Sequence, residues 1–225
     1  MARFPVKHHG RHNKSPKPII LIVAEGRNVT ETLYFKQFQK QHADYNIKLL
    51  MPGSSTDPKG MLNKLETFWR ENEMNLEAGD RGFVVLDLDC NDKKGELIEK
   101  LNKSSRLAKF IVSNPCFEVW YLLHFKYTTH MYTDGNDVIR DLRAYIPGYE
   151  KNIDVNENLA DKTDAAITNA CRIKRHFEEL GYKWPSKDCN PRTDIHEVIT
   201  IIRNIESNQS NQSDDGRITG KTVSE

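Results

Sequence analysis

Three acidic residues stand where hard-metal chemistry would need them. Glu25, with Gly26 after it, follows the apolar run 18–24, and Asp87, Leu88 and Asp89 follow a second apolar run, 82–86. In an open parallel sheet, sites form at the carboxyl ends of strands. Carboxylates gathered there repel one another at neutral pH unless a cation or a proton intervenes. Oxygen donors with few cysteines or histidines favour Mg²⁺ or Mn²⁺. Asp87 and Asp89 are two apart, so on a continuing strand their side chains would share a face and hold one ion or bridge two. Such an ion polarises a phosphoryl oxygen and lowers the pKa of a bound water. Glu25 could join the coordination or act as general acid/base. Each motif alone is an ordinary solvated loop or turn. Their joint placement at two strand ends is what points to a site.

Other residues have two readings each. Glu118 falls in the first turn of a helix, where the dipole favours negative charge, or it is a supplementary metal or water ligand. Asn114 caps that helix or reaches the site from the end of a strand. His124 shares a helical face with Phe117, Trp120 and Tyr121, as a core histidine or as a supplementary site residue. Arg172, Lys174, Arg175 and His176 form either a solvated helical face or a phosphate-contacting stripe.

The elements that must position these residues alternate. The apolar run 18–24, rich in β-branched residues, reads as a strand buried on both faces, the nearly all-apolar run 82–87 as another strand, and 46–51 and 109–113 as two more. Between them lie helical patterns: 30–42, with Thr30 as N-cap; about 59–76, with Leu62, Leu65, Phe68 and Trp69 on one face; and about 95–101. A fourth helix is expected to open at Asn114 and Pro115 and run to about Phe125. This β-α-β-α-β-α-β-α order predicts an α/β fold, a Rossmannoid parallel sheet with helices on both faces. Beyond Tyr127 only helices are legible, near 134–145, 163–180 and 194–205. Gly181 would stop the second, and Asp194 with Glu197 would cap the third. The expected organisation is a basic flexible arm (1–18), an α/β core (19–126), a helical extension packed on that core (127–205) and a disordered polar tail (206–225).

The bulk composition sets limits. Apolar residues make up 37% and charged residues 29%, an ordinary globular balance. The formal net charge of +1 gives no global pull on a polyanion, so nucleic-acid binding would rest on local patches such as the arm. Four cysteines share neither C-x-x-C nor zinc spacing, and read as reduced thiols. No apolar run approaches a membrane span, and the basic N-terminus has no apolar h-region, so a cytoplasmic protein is expected.

The order Glu-Gly after the first strand and Asp-x-Asp after a later one resembles the TOPRIM fold of topoisomerases, primases and small nucleases. More closely, the chain resembles the RloB family of prokaryotic proteins tied to restriction and phage-defence loci. The residues that carry this are Glu25-Gly26 with Thr30-Glu31 and Tyr34-Phe35, then Asp87-Leu88-Asp89, then the string from Ser113 to Trp120 running into Leu122, Leu123, His124 and Phe125. Three residues, Arg27, Asn28 and Val29, separate Gly26 from Thr30 where the family pattern has two, which leaves the role of Glu31 open.

The resemblance implies a TOPRIM-like core with Glu25 as general acid/base and Asp87 and Asp89 as metal ligands. The expected function is a Mg²⁺-dependent (or Mn²⁺-dependent) nuclease that cleaves DNA or RNA in antiviral defence. A second expectation is a non-catalytic component that binds a nucleotide or a partner, such as an ATPase of the same defence system. A third is a primase-like nucleotidyl transferase. Strand passage is set aside, because the chain is too short for a gate.

Overall fold

Ile20, Leu21, Ile22 and Val23 are each 0% exposed, so the first strand is covered on both faces. The computed structural model describes residues 17–25, 30–40, 43–51, 53 and 56–215, the last eight as backbone. Within it run β1 (Ile19–Ala24), α1 (Thr30–Lys36), β2 (Asn46–Leu50), α2 (Pro58–Glu71), β3 (Arg81–Asp87), α3 (Asp92–Ser104) and β4 (Ala108–Asn114). Then follow α4 (Glu118–Leu123), α5 (Gly135–Leu142), α6 (Asn156–Leu159), α7 (Thr163–Glu179), β5 (Arg192–Thr193) and α8 (Ile195–Asp215). The sheet order is β2-β1-β3-β4-β5; the first four strands are parallel and β5 is antiparallel to β4. This is a mixed α/β, Rossmannoid architecture, as expected.

Period-two alternation divides the strands between two cores. Ile20, Ile22, Phe83, Val85 and Ile111 pack with α1, α4, α5, α7 and α8. Leu21, Val23, Val84, Leu86, Phe110 and Val112 pack with Met61, Leu62, Leu65 and Trp69 of α2 and Ile98 of α3. By the same alternation Asp87 shares the face of Phe83 and Val85, toward α1 and α4. An aromatic cluster binds those two helices. The Tyr34 ring lies 5.7 Å from Phe117, 6.2 Å from Trp120 and 5.8 Å from Tyr121, in edge-on and tilted pairs favoured by the ring quadrupole.

Several expectations need correction. Asn114 does not cap α4. It is the last residue of β4, held extended opposite Arg192 of β5, and α4 begins at Glu118 without a side-chain cap. Thr30 is the first residue of α1, and its hydroxyl accepts from the Asn152 N–H at 3.3 Å. The extension contains a strand. Arg192–Thr193 was illegible because two polar residues carry no period, and the pairing with β4 is what makes them a strand. Asp194 precedes α8, but its carboxylate accepts from the Trp184 indole N–H at 2.6 Å, and Glu197 pairs with Lys109 and Lys174. No capping box forms there. The helix runs to Asp215, past the expected end near 205.

Gly181 does stop α7. At φ +74° its N–H donates to the Glu178 carbonyl while Tyr182 donates to Phe177, the paired bonds of a Schellman end. All four cysteines are free. Among the described residues no helix is long and apolar enough to cross a membrane. The basic arm through residue 16 and the last ten residues lie outside the described set.

α3 is seated tightly. A Cβ built on Gly95 would lie 2.6 Å from the Pro185 carbonyl oxygen, a backbone atom that cannot swing aside. Gly95→Ala should therefore destabilise the protein, although alanine favours helix by up to about 1 kcal/mol. Overpacking of about 1–3 kcal/mol, at roughly 2–4 °C per kcal/mol in a chain this size, predicts a net fall of several degrees. Thermal unfolding followed by circular dichroism checks this; an unchanged or raised melting temperature contradicts the close approach.

Candidate metal centre

β1 and β3 are hydrogen-bonded neighbours whose ends align, Ala24 opposite Val85. The Glu25 N–H continues the ladder to the Val85 carbonyl at 2.9 Å. Glu25 Oε2 then accepts from the Asp87 N–H at 3.1 Å. The two strand ends proposed from sequence therefore do meet. Gly26 and the loop after it lie outside the described residues.

Around this junction is a cavity of about 460 Å³, lined by Glu25, Thr30, Glu31, Thr56, Asp87, Asp89, Glu118 and Lys151. Each acidic residue arrives from a strand end or the first turn of the helix beyond it. Glu31 is in the first turn of α1 and Glu118 in the first turn of α4. Lys151 comes from the segment between α5 and α6.

The cavity has two unlike halves. At the mouth the charges are matched. Lys94, in the first turn of α3, places its Nζ 3.2 and 3.1 Å from the two Glu25 carboxylate oxygens and 2.9 Å from Asp89 Oδ2. Burial works against the charge on Lys94, yet Glu25 and Asp89 together hold its ammonium above the ordinary lysine range. At the deep end the match is incomplete, one ammonium facing three carboxylates. Glu31 is 5% exposed and Glu118 1% exposed. Among the described residues, Glu31 Oε2, Asp87 Oδ1 and Glu118 Oε2 are buried with no hydrogen-bond partner. The Lys151 ammonium stands 3.7 Å from Glu118 Oε2, beyond hydrogen-bond reach, while Tyr149 donates to Oε1 at 3.2 Å.

An unsatisfied buried carboxylate is costly, so it takes a proton or a cation. Burial pushes the Glu31 carboxyl up to about 8, against a backbone hydrogen bond that favours the charged form, and Glu118 and Glu25 add to the rise. Burial likewise raises Asp87 well above the carboxylate range, with Glu31 and Glu118 contributing. Five carboxylates face two ammonium groups here, an excess of three negative charges if all are ionised. Donors of this kind suit Mg²⁺ or Mn²⁺. Among the described residues no group of three or more His, Cys, Asp or Glu side chains is placed to hold a metal ion as it stands. The fit therefore lies in the donor chemistry and the orphaned oxygens.

The sequence reading fares unevenly at the side-chain level. Asp87 and Asp89 do not share a face. β3 ends at Asp87, and Asp89 and Cys90 both turn into the left-handed region, at φ +55° and +53°. That swings the Asp89 carboxylate out to the mouth, where it is 62% exposed. Glu118 lines the cavity and is not merely a helix-dipole residue. Asn114 does not line it. Its amide accepts from the Cys90 N–H and donates to the Ser186, Lys187 and Cys189 carbonyls, pinning the turn after Asp89. His124 is also away from the cavity. Its Nδ1 lies 2.9 Å from the Trp120 carbonyl oxygen, its ring meets Trp120 edge-on at 4.9 Å, and burial pushes its pKa down to about 4. In the basic run, Arg172 lies over the Tyr127 ring at 4.0 Å and Lys174 pairs with Glu197. Glu31 and Lys151 are lining residues that sequence reasoning left open or missed. An acidic residue in the first turn after a buried strand is the signal that marks Glu31 and Glu118; Lys151 carries none.

The raised Glu31 value has a signed consequence for stability. An acid whose folded pKa lies near 8, above its ordinary value near 4.5, costs nothing below about pH 4.5 and its full penalty above about pH 8. In chelator-treated protein, Glu31→Gln should therefore raise the melting temperature more at pH 8.5 than at pH 5. A difference of at least roughly 4 °C corresponds to only 1–2 kcal/mol relieved. Equal shifts at both pH values would mean that Glu31 is not held in an uncompensated site.

Comparison with known proteins gave one match. The profile of the RloB-like protein family covers residues 20–202, which takes in β1, the whole cavity and most of the helical extension. Neither the curated proteins nor the solved structures gave a match. With four-fifths of its length inside that profile, the chain belongs to the family of RloB-like proteins.

Proposed function

We propose that this RloB-like chain is a Mg²⁺- or Mn²⁺-dependent nuclease of TOPRIM type, acting on DNA or RNA in prokaryotic antiviral defence. The observation that carries the reading is the pair of almost fully buried carboxylates, Glu31 and Glu118. Each has an oxygen without a hydrogen-bond donor among the described residues, beside Asp87 at the carboxyl end of a parallel sheet. Such an arrangement costs free energy in the resting protein, which binding of a divalent cation would repay.

Asp87 is the central ligand in this reading. Glu31 and Glu118 hold the ion from the deep side; Glu25 and Asp89, the other carboxylates expected from sequence, stand at the mouth. When bound, the ion would polarise a phosphoryl oxygen and acidify a water molecule. Glu25 is fixed by the Asp87 N–H and by Lys94, yet its side chain stays 26% exposed, so it can exchange a proton with an incoming water or a departing oxygen. Lys151 projects an ammonium into the cavity, where it can meet a phosphate oxygen as a point charge.

Asp87→Asn tests the assignment, because it removes ligand charge and keeps side-chain volume. Cleavage of single- and double-stranded DNA and RNA, assayed with Mg²⁺ and with Mn²⁺, should fall further than the 10- to 100-fold that loss of an outer-shell partner typically costs. Glu25→Gln should also stop turnover, while weakening Mn²⁺ binding less than Asp87→Asn does. If wild type neither binds metal nor cleaves any of these substrates, with an ATPase partner supplied, the chain is a binding component and not a nuclease. If both variants keep full activity, the chemistry lies elsewhere.

A further inference from the structure

The cation at the mouth of the cavity is in full hydrogen-bond contact with its carboxylates, whereas at the deep end the Lys151 ammonium stands 3.7 Å from Glu118 Oε2, an ion pair beyond hydrogen-bond reach. Lys94 Nζ makes three contacts of 2.9–3.2 Å to Glu25 and Asp89, all within charge-assisted hydrogen-bond range. Its side chain is only 15% exposed. Among the described residues no hydrogen-bond donor reaches Glu31 Oε2, Asp87 Oδ1 or Glu118 Oε2, and the nearest ammonium, Lys151, stays 3.7 Å from the last. Phosphoryl-transfer sites commonly flank the reacting phosphate with two cations.

The backbone fixes that arrangement. The left-handed turn at Asp89 and Cys90 is pinned by the Asp89 N–H to the Pro115 carbonyl at 3.0 Å and by the Cys90 N–H to Asn114 Oδ1 at 3.1 Å. Asn91 caps α3 by accepting from the Lys94 N–H, so Lys94 is held at the helix start through its backbone. Gly95 packs directly against the Pro185 carbonyl, which fixes how closely α3 approaches that segment. The ammonium is thus positioned by three independent constraints.

We infer that the cavity takes a single divalent cation at its deep end, among Glu31, Asp87 and Glu118, and that Lys94 serves as the built-in second cation between Glu25 and Asp89. This rests on the metal-dependent reading above and specifies its stoichiometry. Lys94 acts here as a positioning and charge-supplying residue. It keeps Glu25 oriented and excludes a second ion from the mouth.

The test is Mn²⁺ binding alone, without substrate or turnover. Isothermal calorimetry gives the number of ions per chain, and electron paramagnetic resonance distinguishes an isolated Mn²⁺ from a spin-coupled pair. Wild type should bind one Mn²⁺ with an uncoupled signal. Lys94→Met removes the ammonium but retains the stem, and methionine matches lysine in helix propensity. It should bind two, with coupling between them, and Lys94→Arg should return to one. Lys94→Gln gives the same readout if the methionine variant does not fold. Wild type binding two ions overturns the inference and leaves the nuclease reading intact. Wild type binding none overturns both. One ion in wild type and still one in both neutral variants shows that Lys94 does not hold the second position.

Discussion

Repulsion among carboxylates at the sheet's carboxyl end is the constraint on which the local structure turns. Glu31, Asp87 and Glu118 line one cavity with their side chains largely buried, and Glu25 and Asp89 stand beside them. Left ionised and alone, such a group would push the strand ends apart. The protein offsets part of this with Lys94 at the mouth and Lys151 near Glu118. Burial and the neighbouring carboxylates favour the protonated forms of Glu31 and Asp87, which relieves the remaining repulsion.

A cluster under such strain needs a rigid frame. The parallel ladder from β2 through β4 supplies it on one side, with apolar side chains alternating into two cores. The aromatic packing of Tyr34, Phe117, Trp120 and Tyr121 supplies it on the other, by locking α1 against α4. Those two helices carry Glu31 and Glu118. The buried rings therefore set the distance between the two carboxylates, and neither glutamate can retreat without disturbing the core.

The helical extension closes the frame. β5 adds to the sheet edge through the Asn114–Arg192 pairing, and Asn114 at that junction bonds to three carbonyls of the 186–189 segment. The same asparagine holds the Cys90 N–H, so the extension is joined through one buried amide to the turn that presents Asp89. Thr30 and Asn152 make a similar link, which brings the Lys151 segment against the first turn of α1.

Sequence alone determined the parallel α/β core, because apolar runs alternating with amphipathic helices leave few other ways to bury apolar surface. It also located Glu25 and Asp87, since a residue following a buried strand must emerge at the sheet's carboxyl end. It could not place Asp89, because period two holds only while the strand continues, and the left-handed turn at Asp89 and Cys90 depends on the distant Asn114 and Pro115. Nor could it assign Asn114, His124, Glu118 or Lys151. A helix-starting glutamate reads the same whether its carboxylate faces solvent or a closed cavity. What decides the matter is which elements pack across the strand ends, and those contacts join residues far apart in the chain. The chemistry of each carboxylate was written locally, while its burial, its missing donors and its nearest cation were set by tertiary packing.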